Sequence, residues 1–221
     1  KHLYDIPDSF IRMKRFGLPR YQYTARDVVS GIAFLGFADE CSITYATIFA
    51  NILILHLQLA GVTLENSRIQ TDNGSEFIGA WNSLKDSSFT RLIQETFGII
   101  HLTIPPGART YQSDVETLHR IIEDEFYEIE PFSSYSNFYQ KLCTYQLYFN
   151  TIRKNSYKNN KTPWEIIQQR NPYISKQLLS LTPLPLDFIF ENRVIKNKHP
   201  RGYHVGVHPY FCISLQFKLV W

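Results

Sequence analysis

A chain of 221 residues with 44% apolar and 19% charged residues has enough apolar surface to fold around its own core, which excludes a disordered polypeptide. A net charge of +3 is too mild to mark a nucleic-acid binder by its total, so such a reading must come from how the charges are distributed. Cys41, Cys143 and Cys212 lie far apart with no CxxC pair, which excludes a disulfide framework and fits a reducing cytoplasm.

In chain order, Lys1 to Pro7 reads as a short strand closed by Pro7, which cannot donate to a central ladder. Because the chain opens directly in this strand pattern, a preceding segment is expected. A polar, basic connection runs to Arg20; Tyr21 to Asp27 and Ile32 to Phe37 then read as two strands of a hairpin turning at Ser30-Gly31. Ser42 is the expected N-cap of a helix whose apolar positions run from Tyr45 to Leu59, with Gly61 just past its end. The most apolar run, residues 46–64, contains Asn51, His56 and Gln58 and is too polar for a membrane span.

Val62 to Thr71 is the next expected strand, entered by a crossover from the helix, which implies an α/β layer. Residues 86–97 read as a helix, Ile99 to Ile104 as a strand stopped by Pro105-Pro106-Gly107, and Ser113 as the start of another helix. In that helix Val115, Leu118, Ile122, Phe126 and Ile129 form the buried stripe, while Glu116, His119, Arg120, Glu123 and Tyr127 share a neighbouring face. An aromatic helix over residues 136–150 follows, then a basic turn from Arg153 to Lys161 and a short helix opened by Thr162-Pro163. Alternating prolines from Leu181 to Leu186 read as a linker, and Asp187 to Trp221 as short strands.

Gln70-Thr-Asp-Asn-Gly-Ser-Glu-Phe77 places Asp72 where a buried strand breaks open at a strong turn signal. An acid there is either a turn cap or a ligand for a hard cation. A second acid, Glu116, on a later helix favours the cation: clustered carboxylates repel one another unless a divalent ion intervenes. Oxygen-only donors without His or Cys select Mg²⁺ or Mn²⁺ over zinc.

Gln70 to Phe77 resembles the central aspartate motif of the retroviral-integrase superfamily, which includes insertion-sequence transposases. Pro105-Pro106-Gly107, Gln112 to Glu116 and His119-Arg120 look like the loop and helix that carry the family's final glutamate. Asn150, Arg153 and Thr162-Pro163-Trp164-Glu165 are similar to the segment closing its core. The resemblance implies a ribonuclease-H-like α/β fold: a mixed five-stranded sheet with helices on both faces. To it the chain adds a short, incomplete C-terminal β appendage.

The corresponding division is an integrase-like core over 1–167, a helix and linker over 168–186, and a partial β segment over 187–221. The activity implied is transposase or integrase chemistry, in which a DNA strand is nicked hydrolytically and its freed 3′ hydroxyl attacks a target phosphodiester. The partners implied are DNA, as transposon ends and target, and further copies of the chain assembled on it, in a bacterial cytoplasm and at the nucleoid when bound. Asp72 and Glu116 would hold the metal. His119, Arg120, Glu123, Arg153 and Lys154 would face DNA.

Two departures from the pattern stand out. The interval between Asp72 and Glu116 is longer than the family's commonest, with residues 79–88 reading as an inserted loop. The first acid of the family's triad has three candidate places: upstream of Lys1, at Asp5, or at Asp27. A truncated, non-catalytic DNA-binding remnant and a ribonuclease-H-type nuclease are the alternative functions. Lys158 and Lys161 join the basic turn as possible backbone contacts. His199, His204, His208 and Cys212 sit in strand-like alternation without a matching pair of zinc ligands elsewhere.

Overall fold

A computed structural model of the chain describes residues 15–79, 85–104, 113–194 and 212–218. The expected opening strand, Pro105 to Gln112, and the His199 to His208 segment lie outside these residues. Strands β1 (Tyr21–Asp27) and β2 (Ala33–Ala38) pair antiparallel. Their turn is closed by Asp27, whose Oδ2 accepts from Ser30 N at 2.7 Å and Ser30 Oγ at 2.6 Å, and by Gly31 at φ 81°. Helix α1 (Ile43–Leu59) starts at Ser42, which accepts from the Tyr45 amide, and ends before Gly61 at φ 87°.

Strand β3 is shorter than expected, Arg68–Thr71, because the preceding residues turn back through Ser67 N to Leu64 O, with Asn66 at φ 61°. After the one-turn α2 (Ser75–Ile78) comes α3 (Ser88–Arg91), which widens into a π turn over Leu92–Thr96, and then β4 (Ile100–Thr103). Helix α4 (Ser113–Ile122) continues through a second π turn, Glu123–Tyr127. Helix α5 (Tyr135–Thr151) is capped by Ser134, and α6 (Pro163–Arg170) by a reciprocal Thr162 and Glu165 capping box. Strand β5 (Leu184–Pro185), helix α7 (Leu186–Val194) and strand β6 (Cys212–Lys218) complete the described elements.

Among the described residues the sheet is mixed, with six strands in the order β4-β3-β6-β1-β2-β5 in place of the five expected. Strand β6 is central, parallel to β1 and antiparallel to β3. It is therefore no appendage: it joins the β1, β2, β5 group to the parallel β3, β4 pair. The expected linker is also packed structure. Leu184 and Leu186 are buried, β5 runs parallel to β2, and residues 186–194 form a helix in place of short strands because Leu186, Ile189 and Phe190 seat on the core.

Strand alternation divides the interior. Tyr21, Tyr23 and Ala25 of β1 and Phe34 of β2 pack with Phe49, Leu53, Ile54 and Leu57 of α1. Gly36 permits that approach, since a Cβ there would lie 2.8 Å from the buried Phe49 ring. On the opposite face Ala33, Leu35 and Phe37 meet Leu118 and Ile122 of α4 and Phe138, Leu142, Tyr145 and Phe149 of α5. Among the described residues, no helix is long and apolar enough to cross a membrane.

The outer edge of β2 is covered over only two residues by β5, and amide side chains of α5 cover the rest. Asn150 Oδ1 accepts from Ala33 N at 3.0 Å while its Nδ2 donates to Ala33 O at 2.8 Å. Gln146 Oε1 accepts from Leu35 N at 2.9 Å, and its Nε2 donates to Leu181 O at 2.7 Å. Asn150 thus copies the donor and acceptor of a neighbouring strand, and removing it orphans two buried backbone groups. Asn150→Leu, close in volume, is expected to lower unfolding stability by about 2–3 kcal/mol in urea titrations. An unchanged midpoint would show that the edge is satisfied in another way.

Candidate active site

Asp72 follows the last residue of β3, in a turn fastened from several sides. Ile104 N donates to Thr71 O at 3.0 Å, Asn73 Nδ2 donates to Ile104 O at 2.7 Å, and Gly74 N donates to Asp72 Oδ1 at 2.9 Å. Asp72 is therefore a turn cap through one carboxylate oxygen, and that does not commit the other. Thr71 Oγ1 donates to Asp72 O at 2.9 Å and lies 3.0 Å from His101 Nε2; His101 Nδ1 lies 3.0 Å from Thr90 Oγ1. The turn is bolted to both β4 and α3.

A second acid shares this place. Glu76, on α2, folds back over Gly74 so closely that a Cβ at Gly74 would lie 2.5 Å from its carboxyl group. Burial pushes the Asp72 carboxyl above the usual range, with the Gly74 amide opposing. Burial raises Glu76 too, and the Asp72 charge adds to it. The half-buried Cys41 thiol is pushed up to about 12, first by burial and then by Glu76, Asp72 and Glu40. Glu76 went unremarked as an acid in the sequence, although it stands in the same motif four residues after Asp72.

Glu116 is exposed on the first turn of α4, a helix held to β1 by a seam of polar pairs. Arg26 Nε lies 2.7 Å from Asp114 Oδ2, Thr24 Oγ1 lies 3.0 Å from His119 Nε2, and Tyr127 OH donates to Gln22 Oε1 at 2.6 Å. Gln22 Nε2 also donates to Thr24 Oγ1 at 2.8 Å. Arg26 is only 3% exposed; burial lowers its pKa and the Asp114 charge opposes that.

On the helical wheel Ile121 faces the α5 side of α4, and Glu116, His119 and Glu123 lie on the other flank, the side on which α4 meets β6. Across the sheet, Ala25 and Thr71 both pair with Leu215, so one step on, position 72 is level with Thr24, ~10 Å away at two strand spacings. Glu116 nonetheless is not among the charges that act on Asp72, Glu76 or Cys41.

The remaining sequence candidates divide by exposure. Arg120 and Lys154 are exposed, His119 is turned onto Thr24, and Glu123 is buried. Arg153 grips Glu125, with Nη2 2.6 Å from Oε1, and stands over the Phe149 ring. Lys158 Nζ donates to Val28 O and Val29 O at 3.0 and 2.9 Å, and Lys161 Nζ to Gln169 Oε1 at 2.6 Å, so much of the basic turn braces the protein itself. Asp27 is buried as the hairpin cap, and Asp5 lies outside the described residues.

Among the described residues no three His, Cys, Asp or Glu side chains gather as a metal site. The donor chemistry still fits a hard divalent ion. Asp72 and Glu76 are oxygen donors raised by burial, and no ion pair among the described residues reaches either.

Burial also pushes His101 down to about 4, against the opposing charge of Asp86, and His119 down to about 3, helped by Arg26. Both stay neutral in the fold while the unfolded chain takes up protons near pH 6.5. Their contribution to stability is therefore intact above that pH and is lost as pH falls toward 4. Asp72 and Glu76 act in the other sense, since the cost of their buried charges is relieved as acid protonates them. The urea midpoint is expected to drop between pH 6.5 and 4, and His119→Gln to flatten that drop; parallel curves for variant and wild type would contradict the assignment.

No protein-family model and no curated protein matches the sequence. Among solved structures, the chain is similar to the HTLV-2 integrase catalytic core domain in complex with magnesium, in its trimeric form: TM-score 0.44 and 17% identity, over 66% of this chain and 94% of that one. Likeness at that level leaves the chemistry to be argued from this chain's own residues.

Proposed function

We propose that the chain is the catalytic core of a polynucleotidyl transferase of the transposase and integrase kind, acting on DNA with Mg²⁺ or Mn²⁺. The observation that carries this reading is Asp72, held half-buried at the exit of β3 with no ion pair to it among the described residues, level with the strand that seats the helix bearing Glu116. The ordered sequence matches from Gln70 to Glu165 support the same reading.

Asp72 and Glu116 would hold the ion, with Glu76 adding charge beside Asp72. When bound, such an ion supplies charge neutralisation for in-line displacement at phosphorus. The protein's own share is positioning: the turn fixes Asp72, the α4 seam fixes Glu116, and exposed Arg120 and Lys154 would contact the phosphate backbone. His119, through Thr24, and Arg153, through Glu125, act in this scheme by holding their elements in place.

A second reading has a specific observation in its favour. Strand β6, between β1 and β3, carries no acid in Cys-Ile-Ser-Leu-Gln-Phe-Lys, and no metal-ligand trio is gathered among the described residues. A chain so built would bind DNA without cutting it. Calorimetric titration with Mn²⁺ separates the two readings, since retained DNA binding without Mn²⁺ binding favours the second.

Strand cleavage and transfer on labelled duplex DNA in Mn²⁺ are expected to fall about 10²-fold or more in Asp72→Asn and in Glu116→Gln. Activity equal to wild type in either variant would sink the leading reading. For binding, Lys154→Gln and Arg120→Gln are each expected to weaken affinity for all sequences alike and to reduce the salt slope by about 1. An unchanged slope would take these residues out of the interface.

A further inference from the structure

We infer that His101 is a positioning residue for the Asp72 turn: as a neutral imidazole protonated at Nε2, it links Thr71, at the start of the turn, to the cap of α3, which holds the end of that turn. This deepens the proposed function and rests on it only for the purpose the turn serves.

The proton order follows from the hydroxyls. Thr71 Oγ1 has one proton and gives it to Asp72 O at 2.9 Å, so toward His101 Nε2, 3.0 Å away, it can only accept. His101 therefore carries its proton on Nε2. Its Nδ1 is left as an acceptor and receives the Thr90 hydroxyl proton at 3.0 Å. Thr90 is tied in turn to Ser87, whose Oγ accepts from Thr90 N at 2.9 Å, lies 3.0 Å from Thr90 Oγ1, and bonds to the Phe77 carbonyl.

The chain of links is thus closed around the site: from Thr71 through His101, Thr90 and Ser87 to Phe77, with Asp72 and Glu76 on the segment between. The Phe89 ring packs against the imidazole edge to face, with centroids 5.1 Å apart, and the Asp86 charge also acts on it. Neither of these supplies a directed bond; of the two that His101 makes, the one to Thr71 bears on the turn itself and the one to Thr90 bears on the cap of α3.

Two substitutions separate the two ring nitrogens. His101→Gln can place an amide donor where Nε2–H stood and keep the bond to Thr71. His101→Asn reaches only the Nδ1 position and loses that bond. Amide hydrogen exchange on the metal-free, DNA-free protein is the readout, at Gly74 and Phe77, whose N–H groups bond to Asp72 Oδ1 and Gly74 O within the turn. Asn is expected to speed exchange there about tenfold, Gln to stay within about threefold of wild type, and Leu53 and Ile54 in α1 to be unchanged in both.

Nitrogen NMR of wild-type His101 is expected to show the Nε2–H form, a measurement independent of whether either variant folds. An Nδ1–H imidazole, or Asn and Gln variants that exchange alike at Gly74 and Phe77, would overturn the inference. Since no reaction is measured, loss of strand-transfer activity and loss of this link are told apart.

Discussion

The buried polar seam between β1 and α4 is the constraint on which the placement of the site depends. The apolar face formed by Phe37, Leu118, Phe126, Phe138 and Leu142 holds the helices on the sheet but tolerates sliding, because dispersion and the hydrophobic effect have little direction. The pairs Arg26 with Asp114, Thr24 with His119 and Gln22 with Tyr127 do not tolerate it. A shift of one strand residue turns each of those β1 side chains to the opposite face and leaves a guanidinium, an imidazole and a phenol buried without partners. The seam sets the register of Glu116 through residues that themselves face inward.

A π turn makes the third pair possible. On a straight helix Tyr127 falls on the face with Glu116 and Arg120, which is how the sequence periodicity places it. The wider turn over Glu123–Tyr127 delays the rotation by roughly one residue, so Tyr127 swings beneath the helix to Gln22. A local departure from the 3.6-residue period thus changes which side chains are available to a partner. It turns an expected DNA-facing row into two exposed groups, Glu116 and Arg120, above a buried polar row.

What was legible in the sequence is what local chemistry encodes. The β1–β2 hairpin, the Ser42 cap, the Thr162-Pro163 start of α6 and the turn at Asp72 all follow from short-range signals, and the structure has each of them. The missed features are long-range. Nothing in Cys212 to Lys218 says that it pairs with β1 and β3 rather than at an edge. Prolines at 183 and 185 read as a linker because the burial of Leu184 and Leu186 is a tertiary fact. Lys158 and Arg153 read as exposed cations, yet their partners, the Val28 and Val29 carbonyls and Glu125, lie elsewhere in the chain.

The acids at the end of β3 stand against the rest of the energetics. At other places the fold answers a charge taken out of water with an opposite one, as at Arg26 with Asp114 and Arg153 with Glu125, or with an ordered cap, as at Asp27. Asp72 and Glu76 receive backbone amides on one side and each other's proximity on the other, and burial raises both. A protein optimised for stability alone would put a lysine or arginine there. The turn is instead fastened by Ile104, Asn73 and the Thr71 to His101 link, so its geometry is kept although no ion pair among the described residues reaches its charges. The restraint keeps the repulsion between the two carboxylates from opening the turn, and oxygen donors held in this way have the chemistry that the proposed divalent ion would need.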